Sequence, residues 1–414
     1  MVLSNSRLVL FALCSFSIGT WVGYYWRRRL NAPEMVQMHK RVIQYHSDDS
    51  SLNVQQAEKV GEVLREDHHF NEFSNGICSP RSDIMFLKTH KTASSAVQNV
   101  LLRYANKADL TVGLSNTQDI RFHYGHKFQA QFVGPATKPI NILCHHMVLN
   151  YPELQKVMPR NSTYVTILRE PSSLFESMFD YLHYDSTPFS RVNKRPNSLE
   201  YWLNHTDHFF RGRNDGRFWW FAKNGVFFDM GYDNLSDDDK YIQQAISELD
   251  KIFDLVLLSD YFAESMLLLR EHLCWSMADI LALKTNARDS PKTVLNDRVR
   301  KKIYEWNKAD AAVYQHFNRT FWKKVEAYGY EKMKADMKIL EKMNAELQQN
   351  CIDGGAVSNK YIKEASNKVY NPRGVVMKGY NLRGSAKNNQ TCINLIKGEV
   401  QWTRQMMAQR KARS

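Results

Sequence analysis

Short apolar runs alternate with amphipathic stretches from residue 83 onward. The runs are four or five residues long, which suits buried strands, and the stretches between them repeat apolar residues at helical spacing. Strands that alternate with helices are typical of a parallel sheet covered by helices on both faces. The pattern therefore predicts an α/β fold. The expected strands are Ile84–Leu87, 140–144, 164–168 and Leu255–Leu258, and the expected helices are 94–104, a helix from Ser173, and 261–275.

Three other regions depart from this alternation. Residues 31–80 are polar without a sustained strand pattern, which favours a stem. Residues 298–317 and 321–349 have the length and charge expected of two helices packed outside the sheet. The last segment, 357–414, is basic, and we expect it to pack on the globular body.

The amino-terminal residues predict a membrane anchor. Residues 8–26 contain no charged side chain, and arginines flank the stretch on both sides. A helix of 19 such residues reaches across a hydrocarbon core of about 30 Å. Trp21 and Trp26 lie towards one end, as expected for side chains at a membrane interface. We predict an uncleaved signal anchor that crosses once, and a cleaved signal peptide is the alternative.

Two signals disagree about the orientation of this anchor. Arg27, Arg28 and Arg29 favour a cytoplasmic location for the chain that follows. Five Asn-X-Ser/Thr sequons favour the secretory lumen instead. We predict a single-pass type II protein with a lumenal body. The candidate glycosylation sites are Asn161, Asn204, Asn234, Asn318 and Asn389.

The chain is thereby divided into four predicted parts. Residues 1–30 form a cytoplasmic tip and the transmembrane helix, and residues 31–80 form the stem. Residues 81–356 form the lumenal domain, and residues 357–414 form the basic carboxy-terminal segment.

The cysteines allow several pairings. Five of them follow the anchor, and because five is odd, at least one stays free or pairs between chains. No CxxC or Cys/His pair has the spacing of a structural zinc site, so we predict no metal. The five are Cys78, Cys144, Cys274, Cys351 and Cys392.

The net charge of +13 is concentrated in one segment. Residues 357–414 contain 12 basic and 2 acidic side chains, whereas the first 356 residues contain 44 and 41. A basic surface often binds nucleic acid, but this body is nearly balanced, so we predict no nucleic-acid partner. Three roles remain open for this segment. It closes over a nucleotide, contacts anionic lipid, or forms a solvated basic face.

The first candidate anion site follows the first predicted strand. Lys88-Thr-His-Lys-Thr-Ala-Ser-Ser95 joins that strand to a helix. Free N–H groups and the dipole at a helix start bind anions, and a lysine and hydroxyls strengthen such a site. The P-loop of nucleotide triphosphatases needs glycines that are missing here. This favours a phosphate-bearing ligand without a metal, and a capped helix with surface lysines is the alternative.

The second candidate anion site lies within 164–179. Arg169 ends the apolar strand, and Ser177 follows eight residues later in the predicted helix. An arginine at the carboxyl end of a strand and a helix hydroxyl can converge on one phosphate. In the alternative interpretation, Arg169 pairs with Glu170 or Glu176.

Together the two sites predict a ligand with two separate phosphate groups. At this point the chain resembles the galactose 3-O-sulfotransferase family of Golgi enzymes. The matching stretches run from about residue 84 to 382, and the first and third are specific together. They are FLKTHKTASS, ILCHHM, VTILREPSSLFES, FFDMGYDN, LCWSMADILALKTNARDSP, FWKKVEAYG, CIDGG and GYNL. The resemblance implies a P-loop-like sulfotransferase fold and the donor 3′-phosphoadenosine 5′-phosphosulfate.

The resemblance also implies roles for individual residues. The catalytic candidates are His90, Lys91 and His146, and a histidine suits the deprotonation of a sugar hydroxyl. Adjacent strand residues face opposite ways, so only one of His145 and His146 should enter the cleft; the resemblance favours His146. Which of His90 and His146 is the base stays open. The donor-binding candidates are Lys88, Lys91, Thr92, Ala93, Ser94, Ser95, Arg169 and Ser177.

The acceptor side has weaker signals. Asp229, Tyr232 and Asp233 are candidates for sugar contacts. Trp219 and Trp220 suit a sugar-stacking wall beside them, and core packing is the alternative for these aromatic residues. The resemblance implies transfer to the 3-hydroxyl of a terminal galactose, on a galactolipid such as galactosylceramide or on a glycoprotein glycan, at the Golgi membrane. A kinase and a membrane-tethered galactoside-binding protein without catalysis are the competing hypotheses. A homo-oligomer remains open.

Overall fold

The computed structural model describes residues 78–413, apart from 118, 137, 183–185, 193–196, 284–292 and 372–376. The predicted anchor and residues 31–77 of the predicted stem lie outside the described residues. Within the described residues, no helix is both long enough and apolar enough to cross a membrane.

A four-stranded parallel sheet forms the centre of the described chain. Its strands are β1 (Ile84–Leu87), β2 (Ile142–Leu143), β3 (Thr163–Leu168) and β4 (Leu255–Leu258), in the order β2-β1-β3-β4. Every residue of these strands is buried, and a side chain such as Phe86 contributes about 2 kcal/mol when fully buried. The predicted α/β fold with a parallel sheet is confirmed.

Helices follow the strands and cover the sheet. The first, α1 (Ser94–Lys107), begins directly after the β1 loop and buries Val97, Val100 and Leu101, which have helical spacing. The helix after β3 begins at Pro171 rather than at the predicted Ser173. The next helices in chain order are α2 (Tyr151–Leu154), α3 (Pro171–Leu182), α4 (Thr187–Ser190), α5 (Ser198–Leu203), α6 (Thr206–Phe209), α7 (Gly225–Asp229), α8 (Asp239–Ile252) and α9 (Phe262–Leu273).

The two predicted outer helices are three in the structure. They are α10 (Asp297–Trp306), α11 (Lys308–Tyr328) and α12 (Tyr330–Cys351), and α11 packs against β4. The breaks fall at Asn307 and at Gly329, which has a φ of 93°. A glycine reaches this region without a Cβ clash, so the chain turns there instead of between residues 317 and 321.

The carboxy-terminal segment packs on α1. It contains the short antiparallel pair β5 (Val357–Ser358) and β6 (Lys378–Gly379), followed by α13 (Gln390–Ile396) and α14 (Glu399–Arg413). Both of these helices contact α1. The side-chain amide of Asn99 on α1 donates to the backbone carbonyls of Asn394, at 3.2 Å, and Lys397, at 2.9 Å.

Two disulfides join distant parts of the described chain. One links Cys78 to Cys274, and the other links Cys351 at the end of α12 to Cys392 in α13. Cys144 is buried and free, so the prediction of an unpaired cysteine is confirmed. Burial raises the pKa of its thiol, which keeps it protonated.

Candidate active site

The loop between β1 and α1 has an unusual backbone. Lys91 and Ala93 have φ values of 60° and 61°, in the left-handed region, at a cost of about 1 kcal/mol each for residues with a Cβ. Residues in this conformation turn successive N–H groups towards one point, and α1 adds the free N–H groups of its first turn. The hydroxyl of Ser94 donates to the Thr89 carbonyl at 2.6 Å, and Thr92 Oγ1 lies 2.8 Å from Thr89 Oγ1. These internal bonds stabilise a left-handed loop conformation that glycines adopt more readily.

Lys91 connects this loop to the β3–α3 junction. Its ammonium lies 3.9 Å from the ring centroid of Tyr181 on α3. Its carbonyl accepts a hydrogen bond of 3.0 Å from Arg169 Nη1. Because β1 and β3 are neighbouring parallel strands, their carboxyl ends bring the two predicted anion sites to one edge of the sheet.

Arg169 is held by the first turn of α3. Its Nε donates to Ser173 Oγ at 3.0 Å, and Ser177 lies one turn further along the same face of the helix. Ser177 is buried, with 7% of its surface exposed. Ser173, which was not among the predicted site residues, is thus the direct partner of Arg169.

Glu170 caps the start of α3. Its carboxylate accepts from the backbone N–H groups of Ser172, at 3.0 Å, and Ser173, at 2.8 Å, and from the Tyr304 hydroxyl at 2.8 Å. Burial alone would raise the pKa of Glu170, but these hydrogen bonds outweigh it and lower the pKa. The carboxylate therefore stays charged at the positive end of the helix.

His90 is oriented by Asp229. The backbone N–H of His90 donates to Asp229 Oδ2 at 3.0 Å, and its Nδ1 lies 3.2 Å from the same oxygen. Because an ionised carboxylate only accepts, the neutral imidazole in this contact is the tautomer with its hydrogen on Nδ1 and a lone pair on Nε2. The side chain of His90 is 16% exposed, whereas that of Asp229 is 1% exposed. A partly exposed imidazole with a free Nε2 can accept a proton from a bound molecule.

Tyr124 supports the same carboxylate from the opposite side. Its hydroxyl donates to Asp229 Oδ1, and its ring lies edge-on to His90, with 4.7 Å between the centroids. Burial, followed by the charge of Asp229, raises the pKa of Tyr124 well above its usual value, so the hydroxyl remains a donor. Sequence reasoning missed this residue, because a lone tyrosine in a loop carries no motif.

His146 lies under His90 and pairs with Lys88. The two imidazoles are stacked, with their centroids 4.0 Å apart. Nδ1 of His146 lies 3.0 Å from the Lys88 carbonyl, which can only accept, so Nε2 must accept from the Lys88 ammonium at 2.7 Å. Burial, then the neighbouring His90 and Lys88, lower the pKa of His146 well below its usual value. His146 is therefore neutral at physiological pH, with both ring nitrogens engaged.

Lys88 lies beneath the loop and not on its surface. It is 2% exposed, and its ammonium lies 3.3 Å from Glu399 Oε2 as well as next to His146. Lys88 is a predicted donor-binding residue, but these contacts engage its charge inside the protein.

His145 faces away from His90. It is 2% exposed, and its Nε2 lies 2.9 Å from the hydroxyl of Thr403 on α14. Burial lowers the pKa of His145 to about 4, so this imidazole is neutral. Of the two adjacent histidines, only His146 contacts the loop.

The three acceptor candidates occupy different surroundings. Asp229 is fully buried beneath His90, so in this conformation its carboxylate has no surface for a sugar. The Tyr232 hydroxyl donates to Glu248 Oε2 at 2.9 Å. Asp233 is partly exposed and forms a 3.1 Å ion pair with Arg213. The contacts of Asp229 favour a role in holding His90 instead of the predicted sugar contact.

Aromatic rings form the wall next to His90. The Phe221 ring lies 4.5 Å from that of His90 and is stacked on Tyr124 at 5.7 Å. Trp220 stacks on Phe228 at 5.4 Å and lies 6.2 Å from Tyr124. Trp220, one of the two predicted wall residues, therefore lies beside the rings that surround His90.

The predicted glycosylation sites differ in exposure. Asn161, Asn204 and Asn389 are exposed, and Asn318 is partly buried in α11. Asn234 is 1% exposed, and its amide donates to the carbonyls of Trp220 and Lys223. The amide nitrogen of Asn234 is therefore enclosed and hydrogen-bonded in the folded protein, unlike those of the exposed sequons.

Within the part of the chain that the structure describes, no three His, Cys, Asp or Glu side chains come together as metal ligands would. The two stacked histidines instead contact Asp229 and Lys88.

Comparison with known proteins agrees with this geometry. A family profile described as galactose-3-O-sulfotransferase matches residues 37–410. The protein named galactosylceramide sulfotransferase from Mus musculus is 36% identical over 337 residues, which cover 80% of this chain and 79% of that protein. Galactose-3-O-sulfotransferase 3 from Bos taurus is 35% identical over 342 residues, covering 80% and 79%. Galactose-3-O-sulfotransferase 2 from Sus scrofa is 34% identical over 342 residues, covering 80% and 84%.

Proposed function

The chain belongs to the galactose-3-O-sulfotransferase family, and we propose that it transfers a sulfuryl group from 3′-phosphoadenosine 5′-phosphosulfate to the 3-hydroxyl of a terminal galactose. It is a sulfotransferase. The proposed acceptor is galactosylceramide or a related galactolipid, because a relative with 36% identity carries the name galactosylceramide sulfotransferase.

The β1–α1 loop is the proposed site of the 5′-phosphosulfate. Positive potential in this loop has three sources. They are the N–H groups near the left-handed residues Lys91 and Ala93, the first turn of α1, and the Lys91 ammonium. Arg169 and Ser177 are proposed to hold the 3′-phosphate, since Arg169 reaches the carbonyl of Lys91 from the neighbouring strand. A P-loop-like sulfotransferase fold is part of this proposal.

His90 is the proposed general base, and its pairing with Asp229 in the loop that carries Lys91 is the observation that supports the reaction best. Nε2 of His90 takes the proton of the galactose 3-hydroxyl while that oxygen bonds to sulfur. The bond from sulfur to the phosphate oxygen breaks in the same displacement. The resulting imidazolium is stabilised by the Asp229 carboxylate.

Lys91 is proposed to stabilise the charge that develops on the departing phosphate oxygen. A preorganised cation acts most strongly where charge appears in the transition state, and one such donor contributes about 100-fold to 1,000-fold in rate. His146 is then a neutral support and not a second base, because both of its ring nitrogens are engaged by Lys88.

Transfer of labelled sulfate from the phosphosulfate donor tests this proposal. The panel contains galactosylceramide, a galactose-ended glycan and glucosylceramide, which lacks galactose. We expect labelled galactosylceramide with the sulfate on the 3-oxygen, and an unlabelled glucosylceramide. Saturable galactoside binding without any transfer would contradict catalysis.

Two histidine variants test the identity of the base. His90→Gln should lower kcat by about 100-fold or more, in the range for loss of a general base. His146→Gln should retain more activity, and the exposed His208→Gln serves as the matched control. Near-normal turnover in His90→Gln would contradict the assignment.

A glycoprotein acceptor is the second candidate. The relatives named galactose-3-O-sulfotransferase 3 and 2 are 35% and 34% identical, nearly as similar as the galactosylceramide enzyme. A kcat/KM for the galactose-ended glycan above that for galactosylceramide would favour this candidate.

The proposed location is the Golgi membrane, with a single-pass type II anchor and a lumenal catalytic domain. The exposed sequons at Asn161, Asn204 and Asn389 support lumenal exposure. Glycosidase treatment of the cellular protein should increase its mobility, and intact Golgi vesicles should protect the body from added protease. An unglycosylated body that the protease digests would contradict this location.

A further inference from the structure

One acidic residue of the basic carboxy-terminal segment lies next to the buried Lys88. After residue 356 the chain has two acidic residues, Glu364 and Glu399, against 12 basic ones. Glu399 is the first residue of α14, and its Oε2 lies 3.3 Å from the ammonium of Lys88. The side chains of Glu399 and Lys88 are 12% and 2% exposed. A buried ammonium requires such a partner, and here the partner comes from the far end of the chain.

The carboxylate of Glu399 is held in place by a second contact. Its Oε1 accepts a 3.1 Å hydrogen bond from Gln98 Nε2 on α1. The same amide donates to the Cys144 carbonyl, after β2, at 3.0 Å. Glu399 is therefore fixed between α1 and the sheet, with one oxygen for Gln98 and one for Lys88.

The rest of α14 is attached to α1 by other residues. Gln405 and Gln409 both donate to Asn106 Oδ1, at 3.0 and 3.2 Å. The disulfide between Cys351 and Cys392 ties the preceding helix α13 to the end of α12. Docking of the segment and the contact with Lys88 thus depend on different side chains, so they can be separated by substitution.

We propose that Glu399 is a positioning residue, which acts through the Lys88 ammonium on the stacked pair of His146 and His90 and makes the carboxy-terminal segment a part of the active site. The inference rests on the proposed function, in which His90 is the base. The chain of contacts runs from Glu399 Oε2 to Lys88 Nζ, then 2.7 Å to His146 Nε2, and then to the His90 ring at 4.0 Å between centroids.

The physical reason is the charge on Lys88. With its carboxylate partner in place, the ammonium is held in position and donates to Nε2 of His146. Without Glu399, the buried ammonium has lost its counter-charge and the contact that holds it against His146. The imidazole of His146, and with it the stacked ring of His90, then loses its fixed position. The ionisable groups that surround this chain of contacts are Asp229, Tyr124, Cys144, His145, Asp119 and Arg121.

A double-mutant cycle in the full-length protein tests the proposal. Glu399→Gln should lower kcat by about 10-fold, as expected when the outer partner of a functional side chain is removed. Its donor KM should stay within about twofold. In a Lys88→Met background, Glu399→Gln should have almost no further effect. Gln409→Ala, on the same helix and bonded to the same partner helix, should behave as wild type.

Two results would overturn the inference. One is a Glu399→Gln enzyme with wild-type kcat. The other is an equal loss of kcat from Glu399→Gln in the wild-type and Lys88→Met backgrounds, because Glu399 would then not act through Lys88.

Melting temperatures of the same variants distinguish this inference from the proposed function. A wild-type chain that transfers no sulfate would contradict the proposed function. The ion pair is still tested in that case, because Glu399→Gln should lower Tm and Lys88→Met should recover part of the loss. An equal loss of Tm in both backgrounds would overturn the pairing itself.

Discussion

The β1–α1 and β3–α3 junctions lie at the same edge of the sheet, but their construction differs. At the first, Lys91 and Ala93 adopt left-handed conformations although neither is glycine. At the second, α3 begins at Pro171 immediately after the strand, and the side chain of Glu170 caps it. The first junction stores backbone strain of about 1 kcal/mol per residue, while the second is a low-energy local arrangement.

The functional side chains at the two junctions also have different partners. His90, in the first, pairs with the Asp229 carboxylate from 139 positions away. Arg169, in the second, is held by Ser173 four residues later and by the Lys91 carbonyl of the first junction. The strained backbone and the imidazole–carboxylate pair favour chemistry at the first junction, and the guanidinium favours ligand binding at the second.

The largest expected effect is the loss of kcat when Lys91, at the first junction, is replaced. Lys91→Ala should lower kcat by about 1,000-fold, since the departing phosphate loses its cation. The melting temperature should change much less than kcat, because the contact of the ammonium with the face of Tyr181 contributes only about 1 kcal/mol. Labelled-sulfate transfer measures the loss, and the exposed Lys107→Ala at the other end of α1 is the control. A loss of kcat below tenfold would contradict a catalytic role for Lys91 and, with it, the contrast between the two junctions.

The next effect concerns the support of His90. Asp229→Asn should lower kcat by about 100-fold, because an amide can present a donor to Nδ1 and reverse the imidazole tautomer. The pH–kcat profile should change shape, which simple loss of packing would not cause. Asp250→Asn, in the surface pair with His316, is the control. An unchanged profile with normal kcat would show that His90 needs no orienting carboxylate.

A smaller effect is expected at the binding junction. Arg169→Lys should raise the donor KM by about tenfold with kcat within about twofold, because a lysine cannot bond the phosphate, Ser173 and the Lys91 carbonyl together. Initial rates at varied donor concentration measure the split, with the exposed Arg213→Lys as control. A fall in kcat without a change in KM would assign chemistry to this junction too.

The last effect leaves catalysis aside and concerns the stability of the helix that carries Asp229. Asp310 accepts from the N–H groups of Val226, at 3.2 Å, and Phe227, at 2.8 Å, at the start of α7. Burial raises the pKa of Asp310 to about 7, although these bonds oppose it. Between about pH 4 and pH 7 the folded protein therefore keeps a proton that the unfolded chain has released.

The raised pKa of Asp310 makes the folded protein less stable as pH rises. The free energy of unfolding falls as pH rises through that window, by at most about 4 kcal/mol, and the fall ends above the folded pKa. The wild-type Tm should therefore decrease from pH 5 to pH 7.5 more than that of Asp310→Asn, which does not titrate. Thermal unfolding of both proteins at the two pH values is the measurement. A parallel pH dependence would contradict the raised pKa.

Much of the fold was predictable because local patterns determine it. The strands Ile84–Leu87 and Leu255–Leu258 have the predicted bounds, since short buried strands consist of apolar residues alone. The break at Gly329 was missed because a charged amphipathic pattern continues on both sides of it. Asn234 has a sequon, but its burial depends on contacts with a distant turn, which a motif does not record.

The sequence by itself determined which chemical groups the site contains. The order of strand, basic hydroxyl-rich loop and helix depends on residues adjacent in the chain, and Lys91, His90 and Arg169 could be named from it. Only the tertiary structure decided what those groups do. Asp229 and Glu399 reach the loop from remote segments, and they determine which imidazole has a free nitrogen and where the charge of Lys88 lies. Proton affinity depends on burial and on nearby charge, and both arise only when the chain has folded.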